Sequence, residues 1–108
     1  MRPSELYFIL DAERRPVAAD RATWWDWFRH ETNRRVGDDM VGPWRVSTVF
    51  VGTGNVELCL FETQICRDGE PLLTLKWATW DEAAERHKGL IELLRRVLAS
   101  GEPWPPPL

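Results

Sequence analysis

The chain has 108 residues, 44% of them hydrophobic and 29% charged, which suits one globular domain with a real core and leaves no room for a second. Fourteen Lys and Arg against 17 Asp and Glu give a formal charge of −3, which argues against direct nucleic-acid binding through neutralised phosphates. The opening MRPSELYFIL sets Glu5 ahead of a very short apolar run, so neither a secretory leader nor a membrane span is expected, and a cytoplasmic location follows.

Leu6 to Leu10 reads as a buried strand, Asp11 to Pro16 as a polar turn, followed by a short return through Val17: a small N-terminal hairpin. From about Ala22 to Glu31 the apolar spacing becomes helical, with Trp24, Trp27 and Phe28 three and four residues apart and Trp25 beside them. Arg34 to Pro43 is rich in turn formers (Gly37, Asp38, Asp39, Gly42, Pro43) and reads as a connection or a hairpin, with an optional short strand at Arg35-Val36.

Trp44 to Val51 is β-branched and aromatic, and Gly52-Thr53-Gly54-Asn55 supplies a tight turn into a strand from about Val56 to Arg67. In that strand Cys59, Phe61, Thr63 and Ile65 share one face. Asp68-Gly69 marks a hairpin, and Leu72 to Thr79 returns with Leu73, Leu75 and Trp77 on one face, giving a three-strand antiparallel meander. Thr79-Trp80-Asp81-Glu82 is a capping box that opens the longest element, a helix whose inward stripe is Ala83, Ala84, His87, Leu90, Ile91, Leu94, Val97 and Leu98 and whose stop is Gly101. The expected domain is residues 1–100, followed by a proline-rich, polyproline-like tail over 101–108.

The segments RATWWDWFRH and WATWDEAAERH repeat Ala-Thr-Trp, an aspartate and a later Arg-His. Beyond these helix-starting residues they diverge, aromatic in one and aliphatic in the other, so they share capping chemistry rather than ancestry. Asp20 is an alternative cap for the first helix, one turn before Thr23. His87 falls on the buried stripe and reads as a core histidine with one hydrogen bond, while His30 lies near a helix end. Cys59 and Cys66 are seven apart in one strand, so they face opposite ways; they read as reduced, mostly buried residues and not as a metal pair. Gly52-Thr53-Gly54 lacks the lysine of a phosphate loop, and no residue pattern demands a cofactor, a metal or a catalytic nucleophile. Pro103-Trp104-Pro105-Pro106 has PxxP spacing, a pattern common in proline-rich tails. Trp24, Trp25, Trp27 and Phe28 span too wide an arc for all to point inward, which makes Trp24, Trp25, Trp27 and the nearby Arg29 the candidate partner-binding residues.

Taken along its length, the chain resembles a family of small proteins carried by bacteriophages and prophages, through YFILDAERRPVAAD, TWWDWF, RRVGDD, STVFVG, LFET and ATWDEAAERHKGLI. It departs where Glu85-Arg86 stand before the helix histidine in place of a small residue, and in its proline tail. The resemblance implies a mobile-element setting and an accessory role that binds something of the host's, with no residue roles attached. The expectation is thus an α+β fold, a mainly antiparallel sheet of four to five strands with two helices on one face, serving a non-enzymatic protein that binds a host protein or protein complex and inhibits, for instance, a bacterial defence system. A homodimer is compatible with this reading. The alternatives are a sponge for a nucleotide signal, a small enzyme using His87 or His30, and a virion-associated structural protein.

Overall fold

A computed structural model describes residues 7–53 and 59–105. β1 (Tyr7–Leu10) and β2 (Pro16–Ala19) form a two-stranded antiparallel sheet, followed by α1 (Arg21–Phe28) and the single turn α2 (Glu31–Arg34). β3 (Arg35–Val41), β4 (Trp44–Phe50), β5 (Phe61–Arg67) and β6 (Glu70–Trp77) then build a four-stranded antiparallel meander in chain order, and α3 (Trp80–Ser100) closes the domain. The architecture is α+β with the four-stranded sheet dominant, as the alternating strand patterns and the capped 21-residue helix predict.

Period-two alternation decides which side of this sheet is core. Trp44, Val46, Thr48 and Phe50 of β4 are buried while the residues between them are not, and register places Val46 beside Ile65, Thr48 beside Thr63, and Phe50 beside Phe61. α3 lies on this face, mostly over β3 and β4, and seats Ala83, His87, Ile91 and Leu94 against it, one residue per turn.

The core has two apolar parts. Val41, Trp44, Val46, Ile65, Ile91 and Leu94 fill one end, with Trp104 of the tail standing edge-on to Trp44 at a ring separation of 6.2 Å. Phe50, Leu60, Phe61 and Ala83 fill the other, joined by Phe8, Leu10, Trp27, Trp77 and Trp80. Each fully buried ring such as Phe50 or Phe61 is worth about 1.5–3 kcal/mol of transfer free energy. Among the described residues no helix covers the opposite face of the sheet, where Arg45 of β4 is bonded to Asp38 of β3 through two charged hydrogen bonds of 2.9 and 2.7 Å.

Several expectations need correction. Arg34 to Pro43, read as a connection or a hairpin, proves to be a hairpin arm: the strand runs over Arg35–Val41 and not Arg35-Val36 alone, and Gly42-Pro43 makes the turn into β4. The first helix is shorter than expected and ends at Phe28, with α2 as a separate turn. Asp20, not Thr23, caps it, accepting the Thr23 N–H at 2.7 Å. Gly52 and Thr53 run beside β1, where the Phe8 N–H donates to the Gly52 carbonyl at 2.8 Å. The remainder of the turn expected there, and the start of the strand after it, lie outside the described residues. Cys59 precedes β5 and is exposed, against the expectation of burial; Cys66 is half-buried, and both are free thiols.

Candidate functional site

Between the two apolar parts of the core lies a polar layer, one side chain from each element that crosses that level. Thr48 sits between Val46 and Phe50 on β4, Thr63 between Phe61 and Ile65 on β5, and His87 one turn from both Ala83 and Ile91 on α3; all three are buried. Asp39 joins from β3, an edge strand, and Trp77 from β6, the other edge. Gly37 makes the space: a Cβ there would lie 2.6–2.9 Å from three atoms of the His87 ring.

The layer is one continuous hydrogen-bond chain. Trp77 Nε1 is 2.9 Å from Thr63 Oγ1, Thr63 Oγ1 is 2.6 Å from Thr48 Oγ1, Thr48 Oγ1 is 2.7 Å from His87 Nδ1, and His87 Nε2 is 2.7 Å from Asp39 Oδ2. Its ends settle its direction. An indole can only donate and an ionised carboxylate can only accept, so for a neutral imidazole Nε2–H donates to Asp39, Nδ1 accepts from Thr48, Thr48 accepts from Thr63, and Thr63 accepts from Trp77. Every group in the run has a partner, the condition under which a buried polar network specifies structure instead of weakening it.

An acid, an imidazole and a hydroxyl in sequence also have the order of an acyl-transfer triad. Here the hydroxyl faces the wrong way for that work. Thr48 is fully buried and its oxygen already accepts from Thr63, so a substrate carbonyl has no approach to it, while the solvent-facing member is Asp39, with 53% of its side chain exposed. The arrangement clamps α3 to β3, β4 and β5 at a fixed height. His30, by contrast, is exposed at the start of α2 and takes no part in the chain. Among the described residues no group of three or more His, Cys, Asp or Glu is placed to hold a metal ion.

Elsewhere the charges are local. The Arg45 guanidinium hydrogen-bonded to Asp38 holds that carboxyl below the usual carboxylate range, and Arg35 does the same to Glu31 from 2.7 Å. Asp20 is lowered by the backbone N–H of Thr23, as an N-cap should be.

The second candidate is the aromatic face of α1. Trp24 is half-buried, stacked on Phe28 at 4.7 Å and tilted against Tyr7 at 5.1 Å. Its indole nitrogen sits over Gly52, where a Cβ would lie 2.7 Å away. Trp27 turns inward and meets Phe50 edge-on at 5.7 Å. Trp25, the next indole along, is 57% exposed. With Arg21, Ala22 and Trp24 it lines a shallow, mostly apolar depression of about 670 Å³. Arg29 is exposed too, bonded to Asp26 at 3.1 Å. The four partner-binding candidates are therefore divided: Trp25 and Arg29 lie on the surface, while Trp24 and Trp27 are half-buried, Trp27 packed against the core. Sequence reasoning did not single out Arg21 or the polar layer, although Thr at the centre of two apolar strand faces was a usable signal for the latter.

No helix among the described residues is long and apolar enough to cross a membrane. Comparison with protein-family models, curated proteins and solved structures gives no match, so the functional argument rests on these two sites.

Proposed function

We propose that this chain is a non-enzymatic accessory protein of a phage or prophage that docks on a host protein through the aromatic face of α1, inhibiting a host process such as a defence system. The observation that carries this reading is Trp25, a large apolar side chain left in solvent while its neighbours on the same short helix are packed. Tryptophan and arginine dominate the energetics of protein interfaces, and here Trp25 stands on a rigid base of Trp24, Phe28 and Tyr7 with Arg21 and Arg29 on the same helix and its end. A pre-ordered anchor of this kind loses little conformational freedom on docking.

The test is affinity capture from host lysate with the wild-type chain and with Trp25→Ala, followed by mass spectrometry. The reading expects one host protein or complex retained by the wild type and reduced about tenfold or more by the substitution, the scale of an interface hot spot. Retention by Trp25→Ala at the wild-type level would remove the α1 face from consideration.

A further inference from the structure

The turn joining β1 to β2 contains an arginine where glycine or asparagine is the ordinary choice. Asp11 N–H donates to the Arg15 carbonyl at 2.9 Å, Arg14 N–H to the Asp11 carbonyl at 2.9 Å, and the Asp11 carboxylate accepts the backbone N–H groups of Glu13 and Arg15. Closing this turn puts Arg14 at φ 62°, in the left-handed region where a side chain other than glycine's is strained. Asp68 has a similar φ of 50°, but as the first half of an Asp-Gly hairpin turn, where aspartate is expected. A long basic side chain at such a position asks what it reaches.

It reaches over Trp80, the first residue of α3, with the guanidinium carbon 4.4 Å from the ring centroid. That stacking fixes the group without neutralising it. Arg15, next in sequence, takes both carboxylates of the turn, Asp11 at 3.4 Å and Glu13 at 3.6 Å, and among the described residues Arg14 pairs with neither. The guanidinium stands at one wall of a cleft of about 580 Å³ between the turn, α2 and the start of α3, within the range of small-ligand sites. Trp27, Thr32, Asn33 and Arg35 also line it, as does Asp11, whose carboxylate is taken up by the Glu13 and Arg15 N–H groups and the Arg15 guanidinium. Asn33 spends its Nδ2 on the Trp27 carbonyl at 2.7 Å, which leaves its oxygen as an acceptor, and Arg35 brings a second guanidinium, one nitrogen of which is ion-paired with Glu31 at 2.7 Å while its other N–H groups can donate.

A fixed guanidinium, a second arginine, an indole wall, a hydroxyl and a spare amide oxygen together match a ligand that is flat and apolar at one end and anionic at the other. We propose that this cleft binds a nucleoside monophosphate, with the phosphate on Arg14 and Arg35 and the base against Trp27 and Asn33. The site is separate from the exposed face of α1 and does not depend on the docking reading.

Isothermal titration of the full chain with AMP, adenosine and inorganic phosphate tests it. Saturable AMP binding is expected, at least about tenfold tighter than either adenosine or phosphate alone, because neither half-ligand engages both ends of the cleft. The decisive variant is Arg14→Gly, which removes the guanidinium yet suits the left-handed backbone, so the fold should keep its melting temperature while AMP affinity falls about tenfold or more. Trp25→Ala should leave AMP binding unchanged, which separates this site from the docking face. No saturable heat with AMP, adenosine binding as tight as AMP, or undiminished affinity in a folded Arg14→Gly would each overturn the proposal.

Discussion

Two glycines owe their places to rings that fill the space of a missing side chain. Gly37 reads in the sequence as one of a run of turn formers, yet it lies inside β3, and its absent Cβ is occupied by the His87 imidazole. Gly37→Ala should therefore displace the ring and uncouple Asp39 and Thr48 from it. The expected loss is about 1–3 kcal/mol, the usual cost of overpacking, measured by urea denaturation; an alanine tolerated within about 0.5 kcal/mol would show the imidazole free to move aside. Asp38 and Asp39 were legible as turn residues for a similar reason: aspartate is a poor strand former in isolation. What overrides that preference is pairing across the sheet and with the helix: Arg45, seven residues on in the same hairpin, for one, and His87, 48 residues on, for the other. Thr63→Val probes the chain from within, since it strands the Trp77 N–H and removes the donor to Thr48. A destabilisation of about 1–3 kcal/mol is expected for a buried polar group left unmatched.

At the scale of elements, α3 was the most readable part of the chain because its signals are local. Thr79 accepts the Glu82 N–H at 3.1 Å, the Glu82 carboxylate returns to the Ala78 N–H at 3.0 Å, and Gly101 closes the helix at φ 75°. α1 was harder: the aromatic run stops at Phe28 and no glycine or proline in Arg29-His30-Glu31 marks a helix end, but the chain turns there, and the Asn33 and Arg34 side chains take the Trp27 and Phe28 carbonyls that continued helix would have used. Strand pairing has its own pH dependence. The Asp38 carboxyl, lowered by its hydrogen bond to Arg45, contributes stability in full above its unfolded value near 3.8 and loses it as pH falls through the lowered folded value. The unfolded chain binds more protons in that window, so stability falls with acid. Asp38→Asn should be less stable than wild type at neutral pH and should lose less of its remaining stability between about pH 5 and 2, when urea midpoints are compared across that range.

For the molecule as a whole, the pattern of periods foretold the fold class and three of the four strands of the meander, with Phe61, Thr63 and Ile65 on one face of β5. The layering within the core was only hinted at. Thr48 and Thr63 each interrupt an apolar strand face, but only the register of β4 on β5 and the height of α3 bring them and His87 to one level. Nor could helical spacing choose which indole of Trp24, Trp25 and Trp27 stays in solvent, because that depends on where Phe50, Gly52 and Tyr7 arrive from distant segments. The histidine cluster bonds the helix to the sheet, and we propose that the α1 surface is what meets a partner. The most direct test compares Trp25→Ala and His87→Gln side by side, measuring melting temperature and capture of the host partner well below melting. The account predicts that Trp25→Ala melts as the wild type does but fails to capture, while His87→Gln melts lower yet captures normally. Normal capture by Trp25→Ala, with capture lost in a still-folded His87→Gln, would contradict it and return function to the polar layer.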